Sequence, residues 1–163
     1  MSADVDALIA RLADAERRLV EHAAKPPPPG LTAPDPGGGE QWEAGQVWAH
    51  LAEFPAYWLA QAQRVIALPT YEPVPFGRVK TDAGRIEAIE RDRNTDPAAL
   101  LERVRTSLAE VTDAVRSFAP EAWARRGAHP TRGDMTVQKI IEKFIVEHLE
   151  EHADQLDGLA EAQ

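Results

Sequence analysis

The chain has 163 residues, 18 Lys and Arg against 27 Asp and Glu, and a formal net charge of −9. That length suits a single domain over residues 1–163, able to bury roughly 70% of its unfolded surface without covalent staples. The lack of Cys excludes disulfides, cysteine zinc sites and iron–sulfur clusters. The acidic balance argues against nucleic acid or an anionic membrane as partner. No run approaches the ~18 apolar residues of a membrane span. The opening residues carry Asp4 and Asp6 without the long apolar block of a signal peptide, so a cytoplasmic protein is expected.

The first predicted element is an amphipathic helix from about residue 4 to 24, with Leu8, Leu12, Ala15 and Leu19 on one face. Residues 25–40 hold six Pro and four Gly, which rules out a helix or strand there. A second helix is predicted over about 41–67. Its stripe is Val47, Trp48, Leu51, Phe54, Trp58, Ala62 and Val65, and Pro55 inside it should produce a kink. Residues 68–94 read as a long connection. Pro69, Pro73, Pro75 and Gly77 keep its first half irregular, and a short helix fits 81–93. The charged residues from Arg78 to Arg93 read as a solvated connection rather than an anion site.

A third long helix is predicted after a Thr95 or Asp96 cap, with Pro97 in its first turn and Leu101, Val104, Leu108, Val111, Val115 and Phe118 on its face. Pro120 ends it. An irregular stretch, 126–134, then leads to the last helix, whose buried face carries Val137, Ile141, Phe144, Ile145, Leu156 and Leu159. No alternating strand pattern and no 20-to-50-residue repeat is visible. The expected fold is therefore all-α, a four-helix bundle with long connections.

The chemistry lies in the last helix. With Ile141 set to zero on a wheel of about 100° per residue, His148 falls at about 340° and His152 at about 20°, inside the core stripe. Histidines at i and i+4 can reach one metal ion at about 2.0–2.1 Å each. His50, at the edge of the apolar face of the second helix, offers a third donor from a facing helix. Each histidine alone reads more simply as a hydrogen-bonded core residue. The pair on the core stripe, with a third inward histidine, is what points to metal.

Three stretches resemble the DinB-like (DinB/YfiT) superfamily of metal-dependent helical-bundle proteins: GQVWAHLAEFPAYW (45–58), PFGRVKTDAGRIEAIE (75–90) and FAPEAWARRGAHPTRGDMTVQKIIEKFIVEHLEEHADQL (118–156). The resemblance spans most of residues 41–159 and rests on the order and spacing of short motifs. It implies that His50, His148 and His152 are the metal ligands, that the bundle runs up-down-down-up, and that the protein is often a homodimer. Some members transfer low-molecular-weight thiols such as bacillithiol or mycothiol to electrophiles. The resemblance therefore implies a transferase with a small-molecule substrate and a thiol cosubstrate.

Three imidazoles leave an open coordination position, as a catalytic site needs. Zinc or nickel is the leading choice, with iron or manganese also compatible with nitrogen donors. Such an ion would lower the pKa of a thiol or water. Glu151, beside a ligand histidine and near the stripe, is the candidate base; Glu147 reads as solvated surface. Tyr57, Gln61 and His129 are candidate substrate contacts, although His129 also fits a surface turn, and His22 reads as exposed. Two other functions stay open: a metal-water hydrolase on the same ligands, and a non-catalytic, stress-associated metal-binding module.

Overall fold

The computed structural model describes residues 2–68 and 72–163. Helix α1 (Ser2–Ala23) buries Leu8, Leu12, Ala15 and Leu19, as its periodicity predicts. The Pro- and Gly-rich segment that follows contains no helix or strand. It is tied down by Thr32, whose backbone N–H donates to Trp42 O at 2.8 Å and whose Oγ1 accepts from Trp42 N at 2.9 Å. These bonds fix Trp42 ahead of helix α2 (Ala44–Ala67), which starts later than the sequence suggests. Gln46 Oε1 accepts from Glu43 N at 2.9 Å and closes that helix start. The helix continues through the buried Pro55. Pro69, one of the residues that predicts an irregular connection, lies outside the described residues.

Helix α3 (Ala83–Asp92) is capped by Asp82, and α4 (Pro97–Ser117) by Asp96, whose side chain accepts from Ala98 N at 3.2 Å. The 126–134 stretch is not irregular. Strand β2 (Arg126–His129) pairs antiparallel with β3 (Gly133–Thr136) and parallel with β1 (Val74–Pro75), giving the order β1-β2-β3. The strands are short, and a key buried position is glycine, so no β-branched alternation marks them. A Cβ on Gly127 would lie 2.5 Å from Phe76 Cδ1 and 2.8 Å from Val65 Cγ2. Only a bare backbone fits there.

The last helix begins as α5 (Val137–Ile141), passes through a π-helical turn (Glu142–Glu147) and continues as α6 (His148–Glu161). Three sets of contacts fix its direction and the bundle's topology. Arg11 meets Glu150, Arg18 meets Asp154 and Asp157, and His22 meets Asp157, so α1 and α6 run parallel. His22 is thus engaged and mostly covered rather than exposed. Arg93, just before α4, meets Glu43 where α2 begins, and Gly127, after α4, packs on Val65 where α2 ends, so α4 runs parallel to α2. Trp42 stacks on His152 and Trp58 on Phe144, so α2 runs against α6. The order is up-down-down-up, with α1 and α2 on opposite corners. The described core unites all four long helices, from Leu12 and Leu51 to Val104 and Leu149. No helix among the described residues is long and apolar enough to cross a membrane.

Candidate metal centre

His50 projects from the second turn of α2, and His148 and His152 from the first turns of α6. Their ligand nitrogens all lie within 4.8 Å of one another. His50 Nε2 and His148 Nε2 are 3.2 Å apart. A tetrahedral centre with bonds of about 2.1 Å sets its donors about 3.4 Å apart, so small ring rotations would complete the geometry. Aromatic walls enclose the three rings: Phe54 stacks on His148 at 4.0 Å, and Trp42 on His152 at 5.8 Å. His50 and His152 are 2% and 7% exposed, whereas His148 is half-buried. His148 is thus the least covered of the three residues, and the site comes nearest the surface there.

The outer nitrogens decide the tautomers. His148 Nδ1 lies 3.2 Å from the Phe144 carbonyl oxygen, and His152 Nδ1 lies 2.7 Å from Gln155 Oε1. His50 Nδ1 lies 2.8 Å from Glu53 Oε2, off the ring's N–H axis. The Phe144 carbonyl and Gln155 Oε1 accept, so Nδ1 of His148 and His152 carries the proton and Nε2 presents a lone pair, and the nearby Glu53 carboxylate favours the same tautomer of His50 without a formed hydrogen bond. Two lone pairs then face each other at 3.2 Å between His50 and His148, and the buried His152 Nε2 has no partner. That arrangement calls for a cation. A proton is a poor one: burial, then the neighbouring histidines, push the His50 pKa well below its ordinary value, and burial does the same to His148. Burial lowers His152 to about 4. Neutral imidazoles with converging lone pairs fit a divalent metal.

Around the rings, Glu53 is gripped through both oxygens by Arg78, at 2.7 and 2.6 Å. Burial raises the Glu53 pKa, and Arg78 opposes the rise.

The sequence profile of the DinB superfamily matches residues 11–156. The chain belongs to the DinB superfamily. Its fold is similar to that of YfiT from Bacillus subtilis, described as a probable metal-dependent hydrolase with an unusual four-helix bundle topology. The TM-score is 0.71 at 21% identity, over 97% of this chain and 86% of that one. An uncharacterised protein from Escherichia coli UTI89 matches with a TM-score of 0.65 at 13% identity, over 97% and 93% of the two chains. The mycothiol-dependent maleylpyruvate isomerase matches with a TM-score of 0.57 at 14% identity, over 93% of this chain but just 57% of the isomerase. No curated protein sequence matches the chain.

Within this DinB chain the three predicted histidines come together. Tyr57 is linked to His50 only indirectly: the Arg78 guanidinium carbon sits 3.9 Å from the tyrosine ring centroid, and Arg78 grips the Glu53 carboxylate beside His50. Gln61 and His129 bind main chain instead. Gln61 Oε1 accepts from Gly77 N at 2.8 Å. His129 is buried, not a surface turn: its Nδ1 accepts from Thr131 N and Arg132 N, each at 3.2 Å, and its Nε2 donates to Arg78 O at 3.2 Å. Glu151 is exposed on α6, and partial desolvation of its carboxylate, with the nearby Glu147 charge, raises its pKa. Glu147 is paired with Lys143 at 2.9 Å.

The sequence reading missed Glu53, Gln155, Trp42 and Arg78. The first two had a signal, since each stands three residues after a ligand histidine on the same helix face. Trp42 and Arg78 come from loops, where no periodicity places a side chain. The Arg78–Arg93 stretch is also not uniformly solvated, because the side chains of Arg78 and Arg85 are each 9% exposed.

Proposed function

We propose that the protein is a metal-dependent enzyme that transfers a low-molecular-weight thiol to a small electrophile at the His50, His148 and His152 centre. The observation that carries this reading is the convergence of three Nε2 atoms whose Nδ1 sides each lie beside an oxygen. A divalent ion held there, zinc or nickel before iron or manganese, supplies Lewis acidity that brings the pKa of a thiol or water toward neutrality. Three imidazoles leave a position for substrate, and the site comes nearest the surface beside the half-buried His148.

In the transfer, the thiol S–H proton leaves to a base, the sulfur forms a bond to the electrophilic carbon, and the leaving group departs with its bonding electrons. Glu151 is the proposed base, because its raised pKa brings a carboxylate closer to the operating pH. Tyr57 lines the Arg78 side of the site. Gln61 and His129 act on substrate through the segment they anchor, Gly77 to Arg78. The thiol dependence of the similarly folded isomerase supports this choice of cosubstrate.

The YfiT description supports a second reading, hydrolysis by water activated at the same centre with Glu151 as base. Metal-loaded protein incubated with a panel of low-molecular-weight thiols and an aryl halide separates the two. Transfer predicts metal-dependent acceleration with at least one thiol, abolished in His148→Ala. Ester or amide cleavage without thiol would favour hydrolysis, and no metal-dependent acceleration of either kind would contradict both.

A further inference from the structure

The chain carries a net charge of −9, yet Arg78, Arg85 and Lys80 lie close enough to the histidines to oppose their protonation, and Arg132 lies beyond Phe144. Arg78 is neutralised by Glu53 beside His50. Arg85 pairs with Glu40 at 3.1 Å and lies 5.3 Å from the Trp42 ring, which stacks on His152. Lys80 pairs with Asp35. Arg132 differs from these three. It sits exposed in the β2–β3 turn, its guanidinium carbon lies 5.4 Å from the Phe144 ring centroid, and among the described residues no carboxylate forms an ion pair with it, the Glu151 charge being felt only at longer range.

Its position is built. His129, stacked on Phe144 at 5.1 Å, accepts the backbone N–H of Arg132 and donates to Arg78 O, so one buried ring pins both cationic segments. Phe144 in turn supplies the carbonyl that orients His148, the most accessible ligand. The exposed Arg132 guanidinium therefore stands over Phe144, one turn before His148 on the last helix. The same aromatic cluster holds a second unanswered donor, since Trp58 Nε1 is buried without an acceptor and the indole stacks on Phe144 at 4.1 Å. A planar fork over an aromatic face is suited to a carboxylate rather than to a neutral group.

We propose that the substrate carries a carboxylate and that Arg132 binds it, holding the rest of the molecule against Phe144 and toward His148. This rests on the reading of the three histidines as a substrate-facing centre. Arg132 is then a specificity-determining residue, distinct from the groups that hold metal.

The test is binding, read by quenching of tryptophan fluorescence, with benzoate and benzamide as matched probes on protein of measured metal content. The wild type is expected to bind benzoate roughly tenfold or more tightly than benzamide, and Arg132→Gln to lose that difference, while metal content and melting temperature stay unchanged. Arg132→Lys, which keeps the charge and loses the fork, should recover part of the preference. Equal binding of the two probes, no saturable benzoate binding, or full benzoate affinity in Arg132→Gln would overturn the proposal. Metal-free protein run in parallel separates the two claims. Loss of metal binding with a retained, Arg132-dependent benzoate preference would sink the centre and not the anion site.

Discussion

Each histidine of the centre has a different oxygen beside its Nδ1: a main-chain carbonyl that accepts from His148, a side-chain amide that accepts from His152, and a carboxylate 2.8 Å from His50 that does not lie on the N–H axis. Glu53 carries the most charge of the three, so Glu53→Gln is expected to weaken metal affinity about 10- to 100-fold while leaving the helical circular dichroism intact. Competition against a chromogenic chelator measures this, and unchanged affinity would remove Glu53 from the account. Burial also sets the acid response. The three rings have folded pKa values below the unfolded value, so the unfolded chain binds more protons as pH falls. Their contribution to stability is complete above about pH 6.5 and declines as pH drops toward about 4, the folded value of His152. The slope approaches about 1.4 kcal/mol per pH unit for each ring that titrates. Metal-free protein should therefore melt at lower temperature at pH 5 than at pH 7, and His152→Gln should flatten that dependence.

At the scale of elements, the long helices were legible because each has a repeating apolar face that must be buried. The HxxxH pair was legible because it falls on such a face. The π-helical turn at Glu142–Glu147 was not. On a straight wheel Val146 falls at about 140° from Ile141, away from the stripe, yet it is fully buried. The turn widens the face that the last helix presents just before His148. The small sheet was hidden for another reason: its register depends on Gly127 passing under Phe76 and Val65, and glycine leaves no hydrophobic signature. Gly127→Ala should cost about 1–3 kcal/mol, because those side chains must move to admit a methyl group. Thermal melting checks this, and a variant as stable as wild type would show that the contact yields freely. The same sheet sets the positions of Arg78 and Arg132, so the cationic side of the site was as illegible as the strands that hold it.

At the scale of the molecule, two kinds of contact join α1 and α6. Arg18 bridges Asp154 and Asp157 at 2.6 Å each, but these groups are partly solvated, so Arg18→Ala should cost less than about 1 kcal/mol. Leu149 is fully buried in the shared core, and Leu149→Ala should cost about 2–5 kcal/mol. Urea denaturation of the two variants would reverse this ranking if the ionic seam, rather than the core, held the helices together. The up-down-down-up order sets α2 antiparallel to α6, and this brings residue 50 against residues 148 and 152 from opposite ends of the sequence. The measurement that bears most directly on that convergence is elemental analysis of dialysed wild-type protein beside His152→Ala. One divalent ion per chain in the wild type, with close to none in the variant, is the predicted result. Equal background metal in both proteins would contradict a metal centre built from these three rings.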